Sequence, residues 1–120
     1  MLLSTLQGAV SEIISPQPAS SGLMVTAGAD GSVAMSDPRM GFAMAGRVKM
    51  TDFPYSLTAV GGLAICGCGD GSVHVIDAAA AVTLYAIGAQ KAAVRTVCAS
   101  YGQLVCSGDD GSVICFDLAV

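Results

Sequence analysis

Five cysteines are the side chains in this sequence best suited to hold a metal. Cys66 and Cys68 stand two residues apart, a spacing that puts both thiols on one face of a strand. Cys106 follows Cys66 by forty residues, with Cys98 and Cys115 close by. A zinc site draws its cysteine pairs from loops, with about two to four residues between them. These cysteines sit inside apolar runs, so they read as small buried packing residues and no metal is expected. The only histidine, His74, is a candidate base. The neighbouring sequence gives it no Ser/Asp constellation, so a packing or edge role is expected. Asp-Gly-Ser occurs at 30–32, 70–72 and 110–112 and offers carboxylates to a cation. A calcium loop needs carboxylates at alternate positions and a closing Glu, and neither is present. Asp109 and Asp110 are adjacent and project in opposite directions. Asp30, Gly31, Asp70, Gly71, Asp110 and Gly111 therefore read as turn formers. The sequence holds no phosphate-binding loop, nucleophile elbow or dinucleotide fingerprint. No catalytic residue, no cofactor and no enzymatic activity are expected.

The same spacing sets the architecture. With Gly22, Gly62 and Gly102 in one column, six columns match through Asp37, Asp77 and Asp117 with no gap. The period is forty residues. Asp-Gly is the strongest two-residue hairpin signal, because the tight turn needs positive φ. An apolar run stands before each turn ("LMVTA", "LAICG", "LVCSG") and another after it ("VAM", "VHVI", "VICF"). These runs do not alternate with polar residues, so the strands should be covered on both faces. Two further strands fit each interval: 41–48 with 82–88, and 94–100 with 54–60. In the first unit "LLSTL" and "AVSEII" fill those places. The Ala-rich stretch from Asp77 also suits a helix. Its counterpart in the preceding unit carries Pro38 and Gly41, which argues for strand. The expectation is an all-β chain, residues 1–120, of three four-stranded antiparallel sheets with approximate blocks 1–37, 41–77 and 82–117. Units of this size and content are the blades of a β-propeller.

The third unit, "LVCSGDDGSVICFD", resembles the WD-repeat β-propeller family. It follows that family's Ser-Gly-x-x-Asp-Gly-Ser-Val-x-x-Trp-Asp segment, with Phe116 where Trp is usual. Ile76 and Ser36 take that place in the other units. "GAQKAAV" resembles the family's Gly-His element, with Gln90 where His is usual and Gln7 near the same place in the first unit. The resemblance implies a hydrogen-bond network of Asp, His, Ser and Trp in each blade. Here Asp30, Asp70 and Asp110 keep the first member and Ser107 keeps the Ser once. The chain has no Trp, and His74 lies off the motif.

Three blades do not close a ring, which typically takes about four to eight. Two completions are open: the sequence is part of a longer propeller, or two copies form a six-bladed ring by exchanging first strands. The family resemblance implies a protein-interaction scaffold or adaptor, with other proteins as partners. The rim loops that differ between units are 49–53 and 89–93, so Lys49, Thr51, Asp52, Gln90, Lys91 and Arg95 are the candidate contacts. A quinoprotein-like enzymatic propeller is the alternative class, and the lack of Trp docking motifs counts against it. A non-functional remnant is a third.

Composition excludes other classes. Hydrophobic residues make up 53% and charged residues 12%, which rules out disorder. Nine acidic and five basic residues give net −4 and no basic cluster, so no nucleic-acid partner is expected. No apolar run approaches the ~18 residues of a membrane span, so no membrane partner is expected. "MLLSTL" lacks the basic start of a signal peptide. An odd number of cysteines suits a reducing compartment. The expected location is the cytoplasm, with the nucleus open.

Overall fold

The structure is a computed structural model, and it describes residues 10–14, 23–28, 30–41, 43–60, 62–100 and 102–117. Eleven strands are found there: β1 Val10–Ile14, β2 Met24–Gly28, β3 Ser32–Asp37, β4 Ala43–Lys49, β5 Pro54–Val60, β6 Leu63–Cys68, β7 Ser72–Asp77, β8 Val82–Gly88, β9 Val94–Ser100, β10 Gln103–Gly108 and β11 Val113–Asp117. They form three antiparallel sheets ordered β1-β2-β3-β4, β5-β6-β7-β8 and β9-β10-β11. β5 packs against both β1 and β9, so the first strand of each sheet lies innermost and the sheets fan outward in an open arc. The fourth strands lie outermost, and β4 and β8 are exposed along most of their length.

The sheets are not the repeat blocks 1–37, 41–77 and 82–117. Residues 43–49 open the second block by sequence, yet they pair with β3 and close the first sheet. Residues 82–88 close the second sheet on β7 in the same way. Repeat and sheet are therefore out of phase by one strand, and the outermost strand leads directly into the next sheet. The third sheet has three strands among the described residues, not four. The strand expected at "LLSTL" lies outside the described residues.

The Asp-Gly-Ser turns are not two-residue connections: three residues separate β2 from β3 and β6 from β7, and four separate β10 from β11. In each, the glycine N–H returns to the carbonyl three residues back: Gly31 to Gly28, Gly71 to Cys68 and Gly111 to Gly108. Among the described turn residues only the glycine takes positive φ, at 84°, 88° and 79°. A tight turn completed by one left-handed glycine is the next commonest hairpin solution. It leaves the Asp free to use its carboxylate. Asp30, Asp70 and Asp110 each accept from the N–H and the hydroxyl of the Ser two residues on.

The Ala-rich stretch is strand, with β8 spanning Val82–Gly88. Asp77 turns the chain before it: its carboxylate accepts from Ala80 N–H at 3.1 Å, and its carbonyl accepts from Ala81 N–H. Ala81 holds φ 56°, where its repeat counterpart Gly41 holds 65°.

Two apolar layers join the sheets. Val25, Ala27, Val33 and Met35 of the first sheet meet Leu57, Cys66, Cys68 and Ile76 of the second. Ile65, Val73 and Val75, on the other face of the second sheet, meet Val94, Val97, Leu104 and Cys106 of the third. The middle sheet is therefore buried on both sides, as the unbroken apolar runs require. The third sheet is not. β11 alternates, with Ile114 and Phe116 against the core while Val113 is 71% exposed.

Candidate functional site

The Asp-Gly-Ser turns and the links between sheets share one end of the arc. Each link is pinned at both ends. Met50 N–H donates to Gly31 O of the first sheet's turn, and Phe53 O accepts from Gly69 N–H of the second. Ala89 and Gln90 N–H donate to Gly71 O, and Ala93 O accepts from Asp109 N–H of the third sheet. The rim is thus a chain of turns and links held by backbone hydrogen bonds. Side chains standing on it are presented from a fixed base.

The six residues proposed from sequence all lie on this rim, in different roles. Lys49 is exposed at the end of β4, and its ammonium donates to Asp30 O at 2.8 Å. Thr51 donates its hydroxyl to Asp70 Oδ2 at 2.6 Å. Asp52 accepts from Phe53 N–H. Lys91 donates its backbone N–H to Asp110 Oδ2, and its side chain is exposed. Arg95 pairs with Asp109 at 3.0 Å and lies 4.2 Å over the Tyr55 ring. Gln90 works inward: it is half-buried, and its amide donates to Ser112 O at 3.0 Å.

Sequence reasoning missed two features. The first is aromatic: Phe53 is 51% exposed and Tyr55 36%, side by side at the start of β5. Tyr55 and Arg95 share a repeat column on adjacent innermost strands, so the forty-residue period held the signal for their contact. The second corrects the reading of His74. This residue has a Ser/Asp cluster around it. Ser72 Oγ lies 3.0 Å from its Nε2, Thr51 Oγ1 lies 3.4 Å away, and both hydroxyls are spent on Asp70. Nε2 must therefore carry the proton and donate it to Ser72. Nδ1 is buried without a partner. The Asp takes the hydroxyl protons itself and does not orient the imidazole, so the cluster lacks the relay of a nucleophilic triad. It ties the 50–53 link to the second sheet.

Burial pushes the His74 imidazole below its usual value, and the Asp70 carboxylate offsets part of that. Burial also works against the charged form of Asp70, but hydrogen bonds from Ser72 and Thr51 outweigh it and hold that carboxyl low. Protonating His74 would create a second N–H with no acceptor. The unfolded chain, with a histidine near the ordinary 6.5, binds the proton first. Stability should be complete above that value and fall as pH drops from it toward the lowered folded value. A melting-temperature series from pH 7.5 to 5.5 should slope downward, and His74→Gln should flatten the slope.

The cysteines divide. Cys66, Cys68 and Cys106 are buried, and Cys66 and Cys68 share one face as expected. Cys98 and Cys115 are exposed, contrary to the buried reading. They flank Val105 in one row across the third sheet, on its uncovered face. Among the described residues no group of three or more His, Cys, Asp or Glu is placed to hold a metal. Arg47, Lys49, Lys91 and Arg95 stand on the turn-bearing rim, and Arg39 lies at the opposite end beside Asp37.

No protein-family model matches the chain. No curated protein matches it either. Solved structures do. The computationally designed Ika4 protein superposes at TM-score 0.81 and 19% identity, over 99% of this chain and 74% of its own. Sqt1 of Saccharomyces cerevisiae gives 0.82 and 16% identity, over 93% of this chain. The WD40 repeats of RRP9 give 0.81 and 15% identity, over 96%. The chain spans 32% of the Sqt1 chain and 37% of the RRP9 chain. Identities this low show the fold alone: WD40-like propeller sheets in an unclosed arc.

Proposed function

We propose that the chain is a protein–protein interaction scaffold, and that it grips its partners with the turn-bearing rim. The observation that carries this is the concentration of distinct chemistry on that rim. Four of the chain's five basic residues stand there with the exposed Phe53 and Tyr55. Phe53 and Lys91 sit on the links between sheets, and Arg47, Lys49, Tyr55 and Arg95 on the strands that border those links. Exposed aromatics and arginine are the side chains that dominate protein interfaces. The WD40 repeats among the structural neighbours support the same kind of role. The reading includes no reaction. Five free thiols suit a reducing compartment, and we place the protein in the cytoplasm or the nucleus. Further sheets complete the arc, supplied by a longer propeller of which this sequence is a part or, as the alternative, by a second copy.

A photo-crosslinking residue at position 91 and another at position 39 test the rim in the cells that make the protein. The expected result is a distinct set of proteins captured from position 91, lost on Phe53→Ala with Arg95→Glu. Identical captures from both positions would count against the rim.

A further inference from the structure

We propose that His74 makes the 50–53 link an acid-released latch: when the imidazole gains its second proton it takes the Asp70 carboxylate from Thr51, and the link that carries Phe53 comes loose from the second sheet. This rests on the rim reading above and gives that rim a regulator. The repeat marks which parts of the latch are new. Asp-Gly-Ser stands unchanged at all three turns. The third sheet, however, has Ile114 where the second has His74, and the link before it has Lys91 where the earlier link has Thr51. The second turn alone joins a histidine to a link through one shared carboxylate.

The geometry sets what the proton does. His74 is 6% exposed, and with Nε2 donating to Ser72 its Nδ1 is left without a partner. A second N–H buried there with no acceptor is costly. The surroundings offer one anion. On β6, Cys66 stands opposite His74 and Cys68 follows on the same face. On β8, Ala86 stands opposite, and Tyr85 turns to the other face. Asp77 closes β7 at its far end. Asp52 of the link accepts from Phe53 N–H, and Arg47 and Lys49 of β4 both bind Asp30. Asp70 remains as the carboxylate that acts on the imidazole. Its Oδ2 holds the Thr51 hydroxyl at 2.6 Å, and that hydroxyl is 3.4 Å from Nε2, so the ring and Thr51 compete for one oxygen over a short distance. A hydrogen bond between imidazolium and carboxylate joins two ions and outbids a neutral hydroxyl. The proton comes from solvent and stays on the ring.

Without Thr51 the link keeps two backbone ties, Met50 N–H on Gly31 O and Gly69 N–H on Phe53 O. A loop held so thinly opens more often. A partner of Phe53 must then order the link itself, which weakens binding. The ordinary histidine value is 6.5 and burial holds His74 below it, so the latch is shut at neutral pH and opens in acid. Asp70, held below its ordinary 3.8, stays charged while it does.

Amide exchange followed by NMR from pH 7.5 to 4.5 tests the latch on the 120-residue chain. His74 is the only histidine, so its ring signal reports its own titration. Protection of the Met50 and Gly69 amides should fall about tenfold with the same midpoint as that signal. The Lys91 and Asp109 amides, which tie the next link, should stay protected. His74→Ile, the residue the repeat itself places at 114, should keep Met50 and Gly69 protected throughout. Thr51→Val should leave both weakly protected already at pH 7.5. Five results would each overturn the proposal: a ring that titrates without change at Met50 and Gly69, no titration above pH 4.5, a fall shared by Lys91 and Asp109, a response that survives His74→Ile, or full protection in Thr51→Val. Should His74→Ile not fold, the coincidence of midpoints in the unaltered chain decides. Crosslinking from position 91 shares no readout with these amides, so failure of the rim reading and failure of the latch are told apart.

Discussion

Gly71→Ala should destabilise the chain by about 3–5 kcal/mol, while Gly111→Ala at the equivalent turn should cost only about 1–2 kcal/mol. The two glycines share their turn, their neighbours Asp and Ser, and nearly the same positive φ, 88° and 79°. A methyl group at either must bear the left-handed penalty, about 1–2 kcal/mol. The difference is what lies over the turn. A Cβ on Gly71 would strike the Gln90 carbonyl oxygen, because the 89–93 link folds across it. That link is held by Ala89 and Gln90 N–H on Gly71 O, so clearing the clash strains two hydrogen bonds worth about 0.5–1.5 kcal/mol each. A Cβ on Gly111 meets nothing within 4 Å. Urea unfolding of both variants checks the ratio. Equal losses would mean that the link does not press on the second turn. With total stabilities of ~5–15 kcal/mol usual for a domain, the Gly71 variant should be partly unfolded near body temperature.

The same turns show what the sequence made readable. The forty-residue columns announced every strand from β2 to β11, since hairpins are local and repeat faithfully. They did not announce where one sheet stops, because strand pairing is a non-local choice. Residues 43–49 sit equally well before β5 or after β3 in a linear reading, and only the pairing Val33↔Val48 decides. The turn type was missed because Asp-Gly signals positive φ without saying which residue carries it. At the rim, Ser72 and His74 were readable as neighbours, being two apart on one strand face. Thr51 was not, because it reaches Asp70 across nineteen residues of chain. Phe53 closes the 49–53 link, whose polar members drew the reading instead, and Tyr55 falls inside the expected strand 54–60, with no sign in either stretch of which apolar side chains would face water.

Ile65→Ala should cost about 2–5 kcal/mol and Val105→Ala under ~1 kcal/mol in the isolated chain, although both residues are aliphatic and central to their strands. Ile65 is fully buried between the second and third sheets, against Val94, Val97 and Leu104. Its loss leaves a cavity walled by two sheets that are each pinned at the rim, so the walls cannot close on it. Val105 is 37% exposed on the outer face of the third sheet, with little to lose. The comparison becomes decisive when repeated as a function of protein concentration. If a second copy covers the third sheet, Val105 becomes an interior residue and its truncation should cost progressively more as concentration rises, while the cost of Ile65→Ala should stay fixed. A Val105 cost independent of concentration would mean that this face stays in water, and then some feature other than a neighbouring sheet must reconcile its exposed valines with a stable chain.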